Sequence, residues 1–318
     1  MVGRLKLIID TDPGIDDAMA ILAAFNSPEV EIIGLTTIFG NVRTPMATQN
    51  AFILLQLAQQ EQIPVAEGSR DQLNGITKAH VADFVHGDEG FGNTYQKLVE
   101  GQKHSLHAAQ FIANAAAEYP GEVVVLALGP LTNIALAYKV DAAVRTRLKE
   151  VVILGGAFHT NGNVNPAAEA NILGDPDAAD YVMEHGSSVK LVSLDVTHQV
   201  EFSSSHMDAL RGKGKFGTFI ADISKFYIDY YRKSYGTDSC FVHDPTAFAA
   251  VIRPDLFSWQ PSKVLVLKDG VACGMTIMDH CIRNWVAPNE WSQRPIVQVA
   301  VAVQAAKVVP LLLERMAM

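Results

Sequence analysis

The sequence predicts an α/β protein: an open, mostly parallel central sheet flanked by helices. Three observations predict it. Strand and helix patterns alternate through the first two thirds of the chain. The strands read as short, continuous apolar runs rich in β-branched residues, the pattern of strands buried on both faces. Polar or glycine-rich stretches follow several of them directly, at the carboxyl ends where open α/β sheets bind ligands.

The first strand spans residues 5–9 and is ended by Pro13-Gly14. Residues 17–25 are good helix formers, and Asp16 or Asp17 sits where a cap and a favourable dipole charge belong. The turn between them is Asp10-Thr11-Asp12-Pro13-Gly14-Ile15-Asp16-Asp17, four carboxylates within eight residues. Like charges this close stay ionised only beside something positive. A hard divalent cation suits a donor set made wholly of oxygen. The plainer alternative is a solvated acidic turn with one helix cap.

Residues 30–38 form the second strand, followed by Phe39-Gly40-Asn41. Residues 44–60 carry helical periodicity, with Ala47, Ala51, Leu54 and Leu55 on one side, and 63–66 is a short strand. Residues 122–128 are a strand, and Gly129-Pro130-Leu131-Thr132-Asn133 opens a helix. Residues 151–154 and 189–194 are further strands, followed by Gly155-Gly156 and Asp195. Strand-like pieces at 263–267 and 296–301 precede a final helix. No internal repeat or linker divides the chain, so 1–318 reads as one domain. Two segments break the rhythm and are candidate mobile lids: 67–103, without periodicity, and 203–242, helices around Arg211-Gly212-Lys213-Gly214-Lys215.

Hydrophobic residues make up 49% of the 318, ample for a large core. A net charge of −9 makes a nucleic-acid polymer a poor partner, though a nucleoside remains a possible substrate. Three cysteines with no CxxC spacing fit a reducing compartment. No run reaches membrane-spanning length and the first strand leaves no room for a signal peptide, so a cytoplasmic protein is expected.

Other stretches carry chemistry. Asn163, Asn165, Glu169 and Asn171 share one loop, and amides with a carboxylate suit a polyol, whose hydroxyls both donate and accept. The same asparagines could simply make turns. His243-Asp244-Pro245 opens an apolar helix; Asp244 could cap it or complete a cation site, with His243 as proton donor or base. His86 lies between Val85 and Gly87 in the first long loop. Tyr227, Tyr230, Tyr231 and Tyr235 could face the core or stack on a flat ligand. Trp285 and Trp291 read as packing or interface residues.

Other readings of the acidic turn fail. A haloacid-dehalogenase-type phosphatase needs Thr or Val where Gly14 stands, and an EF-hand needs Gly where Ile15 stands. There is no Walker A sequence, no GxGxxG and no GxSxG.

DTDPGIDD resembles the DxDPGxDD signature of the inosine-uridine preferring nucleoside hydrolases (nucleoside N-ribohydrolases). The resemblance continues through Gly40-Asn41, residues 127–133, Gly155-Gly156, Glu169-Ala170-Asn171 and Val242-His243-Asp244-Pro245. Phe84-Val85-His86-Gly87 and residues 163–169 look most like the plant uridine/xanthosine/inosine ribohydrolases. The resemblance implies a Rossmann-like core and one Ca²⁺, bound by Asp12, Asp17, Asp244 and the Leu128 carbonyl. It implies that Asp12 is the general base, taking a proton from a calcium-bound water. Asp16, Asn41, Glu169 and Asn171 match ribose binders, with Asp244 also at the substrate and Asn163 near the 5′-hydroxyl. His86 and His243 match histidines near the leaving base, and Tyr231 or Tyr235 reaches the same space. Asp10 would orient the turn. The implied activity is calcium-dependent cleavage of uridine, inosine or xanthosine to ribose and free base, in nucleoside catabolism and salvage, by a homodimer.

Overall fold

The structure is a computed structural model that describes residues 3–78, 80–94 and 96–317. Strand β1 (Leu5–Thr11) leads into helix α1 (Ile15–Phe25), then β2 (Val30–Thr37), α2 (Thr44–Ala58) and β3 (Val65–Glu67). After a loop holding the single turn α3 (Asp83–His86) come α4 (Ala108–Glu118), β4 (Val123–Ala127), α5 (Thr132–Val140), α6 (Val144–Arg147) and β5 (Glu150–Leu154). Next are α7 (Ala170–Gly174), α8 (Pro176–His185), β6 (Val189–Val192) and α9 (Leu194–Thr197). A small antiparallel ribbon pairs β7 (Glu201–Ser203) with β8 (Ser239–Phe241), enclosing α10 (Ser204–Leu210) and α11 (Gly214–Tyr235). The chain ends with α12 (His243–Ile252), β9 (Phe257–Val266), β10 (Thr276–Asp279), β11 (Val297–Val303) and α13 (Ala305–Met316).

The main sheet runs β10-β9-β11-β6-β5-β4-β1-β2-β3. It is parallel from β3 to β11, and antiparallel through β9 and β10. The chain winds outward from β1 in one direction, then returns through β4 to build the other. β1 and β4 therefore flank a topological switch point, where a crevice opens beyond the strand ends.

Both faces of the sheet are buried, and alternation decides what each face carries. Leu7 and Ile9 pack in the layer of α1, α11, α12 and α13, whereas Ile8 packs with α4, α5 and α8. Helices α1 and α12 are unusual in being buried along almost every side, from Ile15 to Ala24 and from His243 to Ile252. A helix apolar all round belongs inside a large core. Their N-termini converge at the crevice, so the acidic residues in their first turns are forced inward with them.

Several sequence expectations shift. The N-cap of α1 is Gly14, not Asp16 or Asp17; Asp17 reaches back to accept from the Gly14 N–H at 3.0 Å. Likewise α12 starts at His243 with Val242 as its cap, so Asp244 lies in its first turn. Strand β6 stops at Val192, because Ser193 and Leu194 turn into α9. Strand β9 begins at Phe257 rather than Lys263. Its first half contains Pro261, which reads as a breaker. There β9 pairs only with β11, since β10 covers residues 263–266, so the missing N–H lies on a free edge.

Candidate active site at the switch point

Asp10, at the end of β1, points to the α5 side and accepts hydrogen bonds from Thr36 Oγ1 at 2.5 Å and Asn133 Nδ2 at 2.8 Å. It thereby ties β1, β2 and α5 together, which fits the orienting role expected of it. Thr11 donates to Asp17 Oδ1 at 2.5 Å, and Asn41 Nδ2 donates to Asp17 Oδ2 at 2.9 Å. Asp12 is fully buried and accepts from the Asn41 N–H at 2.5 Å. Its carboxylate lies against Gly40 and Gly129: a Cβ on either would fall 1.9 Å and 2.5 Å from Asp12 oxygens. Glycine at both positions is what leaves room for this acid.

Asp16, Asp17 and Asp244 each present an oxygen within 4.8 Å of the others. Asp12 adjoins them, and its charge helps raise Asp244. Burial above all, and then neighbouring charge, pushes these carboxyls upward: Asp16 to about 7, Asp12 and Asp244 well above the usual carboxylate range. Asp12 Oδ1 and Asp16 Oδ1 are buried without a hydrogen-bond partner. Converging, unsatisfied carboxylate oxygens cost free energy unless a positive charge joins them. The acidic cluster therefore fits a metal ion, with the positive ends of two helix dipoles beside it.

Opposite the acids stands the loop after β5. Glu169 caps α7, its carboxylate accepting from the N–H groups of Asn171 at 2.9 Å, Ile172 at 3.0 Å and Gly156 at 3.2 Å. Asn171 donates to the Leu128 carbonyl at 2.6 Å, the same carbonyl expected to face a cation. Asn163 Oδ1 accepts from the Ala170 N–H at 2.9 Å. Asn165 instead makes turn bonds to Ala167 and Ala168 and does not line the pocket.

The other end of the pocket is aromatic. His86 Nδ1 accepts from the Ile15 N–H at 3.1 Å, so the neutral ring carries its proton on Nε2. His243 is held between Thr197 Oγ1 at 2.8 Å and Tyr231 Oη at 3.1 Å. Burial lowers both imidazoles to about 3, keeping them neutral. Tyr235 stacks on Tyr231 at the half-open rim, and Phe84 meets Tyr230 edge-on at 5.9 Å. The two candidate lids thus meet over the pocket.

Asp16, Asn41, Asn163, Glu169, Asn171, Leu128, His86, Tyr231, Tyr235, His243 and Asp244 all line one pocket, with Asp12 and Asp17 beneath. Sequence reasoning missed Lys78, whose ammonium donates to the Gly40 carbonyl at 3.3 Å and whose charge acts on Asp12 and Glu169. It also left Tyr227 without a role, although Tyr227 donates to Asp16 Oδ2 at 3.3 Å and stacks on His86. Helical spacing placed Tyr227 and Tyr231 one turn apart on α11, but it does not say which face meets the site.

An open α/β fold with buried carboxylates facing an amide-rich loop suits hydrolysis of a polyol-bearing substrate, and relatives of the chain cleave N-glycosyl bonds. A model of the inosine-uridine preferring nucleoside hydrolase family matches residues 7–309, and the chain belongs to that family. It is 50% identical over 287 residues to uridine nucleosidase 1 of Arabidopsis thaliana, covering 90% of this chain and 85% of that one. It is 47% identical over 308 residues to probable uridine nucleosidase 1 of Oryza sativa subsp. japonica, covering 96% and 95%. A solved plant nucleoside hydrolase matches with a TM-score of 0.97 at 45% identity over 99% of both chains.

Proposed function

We propose that the protein is a calcium-dependent ribonucleoside hydrolase, acting on uridine, inosine or xanthosine, with a role in nucleoside catabolism and salvage. One observation carries the reading: Asp16, whose Oδ1 is buried and unpaired, faces a loop of amides and a carboxylate across a single pocket, and Asp12, also with an unpaired oxygen, is buried beside the same acids. Hard oxygen donors, among them Asp17, Asp244 and the Leu128 carbonyl, suit calcium. A bound ion would supply a positive charge that lowers the pKa of a neighbouring water.

The chain's own residues do the rest. Asp16, Asn41, Glu169, Asn171 and Asp244 grip the ribose hydroxyls, with Asn163 near the 5′-hydroxyl. Holding all three hydroxyls fixes C1′ for in-line attack. Asp12 accepts a proton from the attacking water. The buried carboxylates stabilise the positive charge that grows on the ribose as the N-glycosidic bond lengthens. His86 offers its Nε2–H to the departing base, and His243 acts on the same space through its hydrogen bond to the Tyr231 hydroxyl, with Tyr235 at the rim.

The test is ribose release from uridine, inosine, xanthosine, adenosine and cytidine, with and without calcium. Activity on uridine or a 6-oxopurine nucleoside is expected, and Asp12→Asn should lower kcat by about 10²–10⁴-fold with the fold intact, the range for loss of a general base. A calcium-loaded protein that releases no ribose from any of the five would end this reading.

A further inference from the structure

We propose that Thr276 is a positioning residue for the sugar loop, setting the orientation of Glu169 from across the sheet. The proposal rests on the ribose-binding role given to Glu169 above.

Thr276 opens β10, on the sheet edge far from the switch point. It is 2% exposed. Its hydroxyl accepts from the Ala157 N–H at 3.0 Å and donates to the Ala157 carbonyl at 2.8 Å. One hydroxyl therefore satisfies both polar groups of a residue 119 positions away in the chain. The preceding residue is Gly156, at φ +84, whose N–H donates to Glu169 Oε2. A Cβ there would lie 3.2 Å from Thr276, so the turn is pressed against it. The turn from Gly155 to Ala157 is gripped on one side by the Glu169 carboxylate and on the other by Thr276. Rotating the Ala157 peptide moves the adjacent Gly156 N–H, one of the three that hold the Glu169 carboxylate and the one that comes from outside α7.

Further contacts tie the same two segments. Met275 makes a bridge to Ala168, beside Glu169. Gly274 approaches Ala168 and Leu173 so closely that a Cβ would sit 2.9 Å from Ala168. His280 stacks on His159 at 5.8 Å. The hairpin is itself anchored: Thr276 pairs with Val266, whose N–H donates to Asp180 Oδ1 on α8 at 3.0 Å, and Arg294 pairs with the same carboxylate at 2.8 Å. A rigid line runs from α8 through β9 and β10 to the loop that carries Asn163, Glu169 and Asn171. Preorganising a sugar loop in this way acts on substrate binding more than on bond cleavage.

Thr276→Val keeps the side chain's shape and leaves the Ala157 N–H and carbonyl without partners. It is expected to raise KM for uridine about tenfold with kcat within about twofold. Amide exchange across residues 157–171 should quicken, while exchange in β1 and β4 stays slow. Thr276→Ser, which retains the hydroxyl, should behave as wild type in both measurements. Equal effects of Val and Ser, a fall in kcat at constant KM, or unchanged exchange in Thr276→Val would each overturn the proposal. If the wild-type protein releases no ribose, the functional reading falls, and the exchange comparison still decides whether Thr276 holds the loop.

Discussion

Lys78 brings an ammonium within the field of Asp12 and Glu169. Burial holds its pKa below the ordinary lysine range, and the charges of Asp12 and Glu169 oppose that shift. A bound divalent cation would share the field of Asp12 with this ammonium, and like charges in a partly buried site repel. Lys78→Gln is therefore expected to tighten calcium binding by about fivefold, an order-of-magnitude figure for a screened pair. Titration calorimetry of calcium into the stripped protein measures it directly, and an unchanged affinity would show that the ammonium does not reach the ion's field. At this scale the acids, the histidines and Asn163, Glu169 and Asn171 were legible, because each stands in a short motif beside a strand end or helix start. Lys78 was not. Thr77-Lys78 sits in an aperiodic loop, and nothing local says that the chain folds it back 38 positions to the Gly40 carbonyl.

At the scale of elements, the site depends on two buried helices. Helix α1 carries Asp16 and Asp17 in its first turn and packs Ile15, Met19 and Leu22 into the core. Helix α12 carries Asp244 and packs against α1. Moving either helix along its axis moves the carboxylates. Leu22 is fully buried, so Leu22→Ala should cost about 2–5 kcal/mol by leaving a cavity. Urea unfolding measures this, and a loss under about 1 kcal/mol would mean that the surroundings collapse onto the gap. The parallel strands were legible because β-branched runs buried on both faces have few rival readings. The β7–β8 ribbon, β10 and the short helices α6 and α7 were not. Elements of three to five residues carry less than two turns or alternations of pattern, and their stability comes from neighbours.

For the molecule as a whole, the acidic cluster links ion binding to folding stability. In the stripped protein, burial holds Asp10 and Asp16 at about 7, against 3.8 ordinarily, and Asp12 and Asp244 are also raised. Carboxyls raised in the folded state stabilise it fully below their unfolded pKa, and that contribution is lost as pH rises through about 7. The stripped protein should therefore lose thermal stability between about pH 5 and about pH 7. With calcium bound the carboxylates are already ionised, so the loss should shrink and the melting temperature should rise at saturating ion. Melting curves at the two pH values, after chelation and desalting and again with calcium, check both signs. The same pH slope with and without calcium would mean the cluster does not hold the ion.

The sequence by itself determined the alternating α/β core, the acidic turn that follows β1, and the set of polar loops that follow β2, β4 and β5. Each is written in residues adjacent in the chain, where strand period, helix capping and turn chemistry act. The tertiary structure decided which of those loops share a pocket and what supports them. The strand order reverses between β1 and β4, and that reversal, with the packing of α12 against α1, gathers Leu128, Glu169 and Asp244 at one crevice above Asp12. Thr276 and Lys78 bear on that site from outside the pocket, through contacts to Ala157 and Gly40 spanning 119 and 38 positions. Such contacts leave no period or local motif behind, because their geometry is fixed by the packing of whole elements and not by the residues on either side.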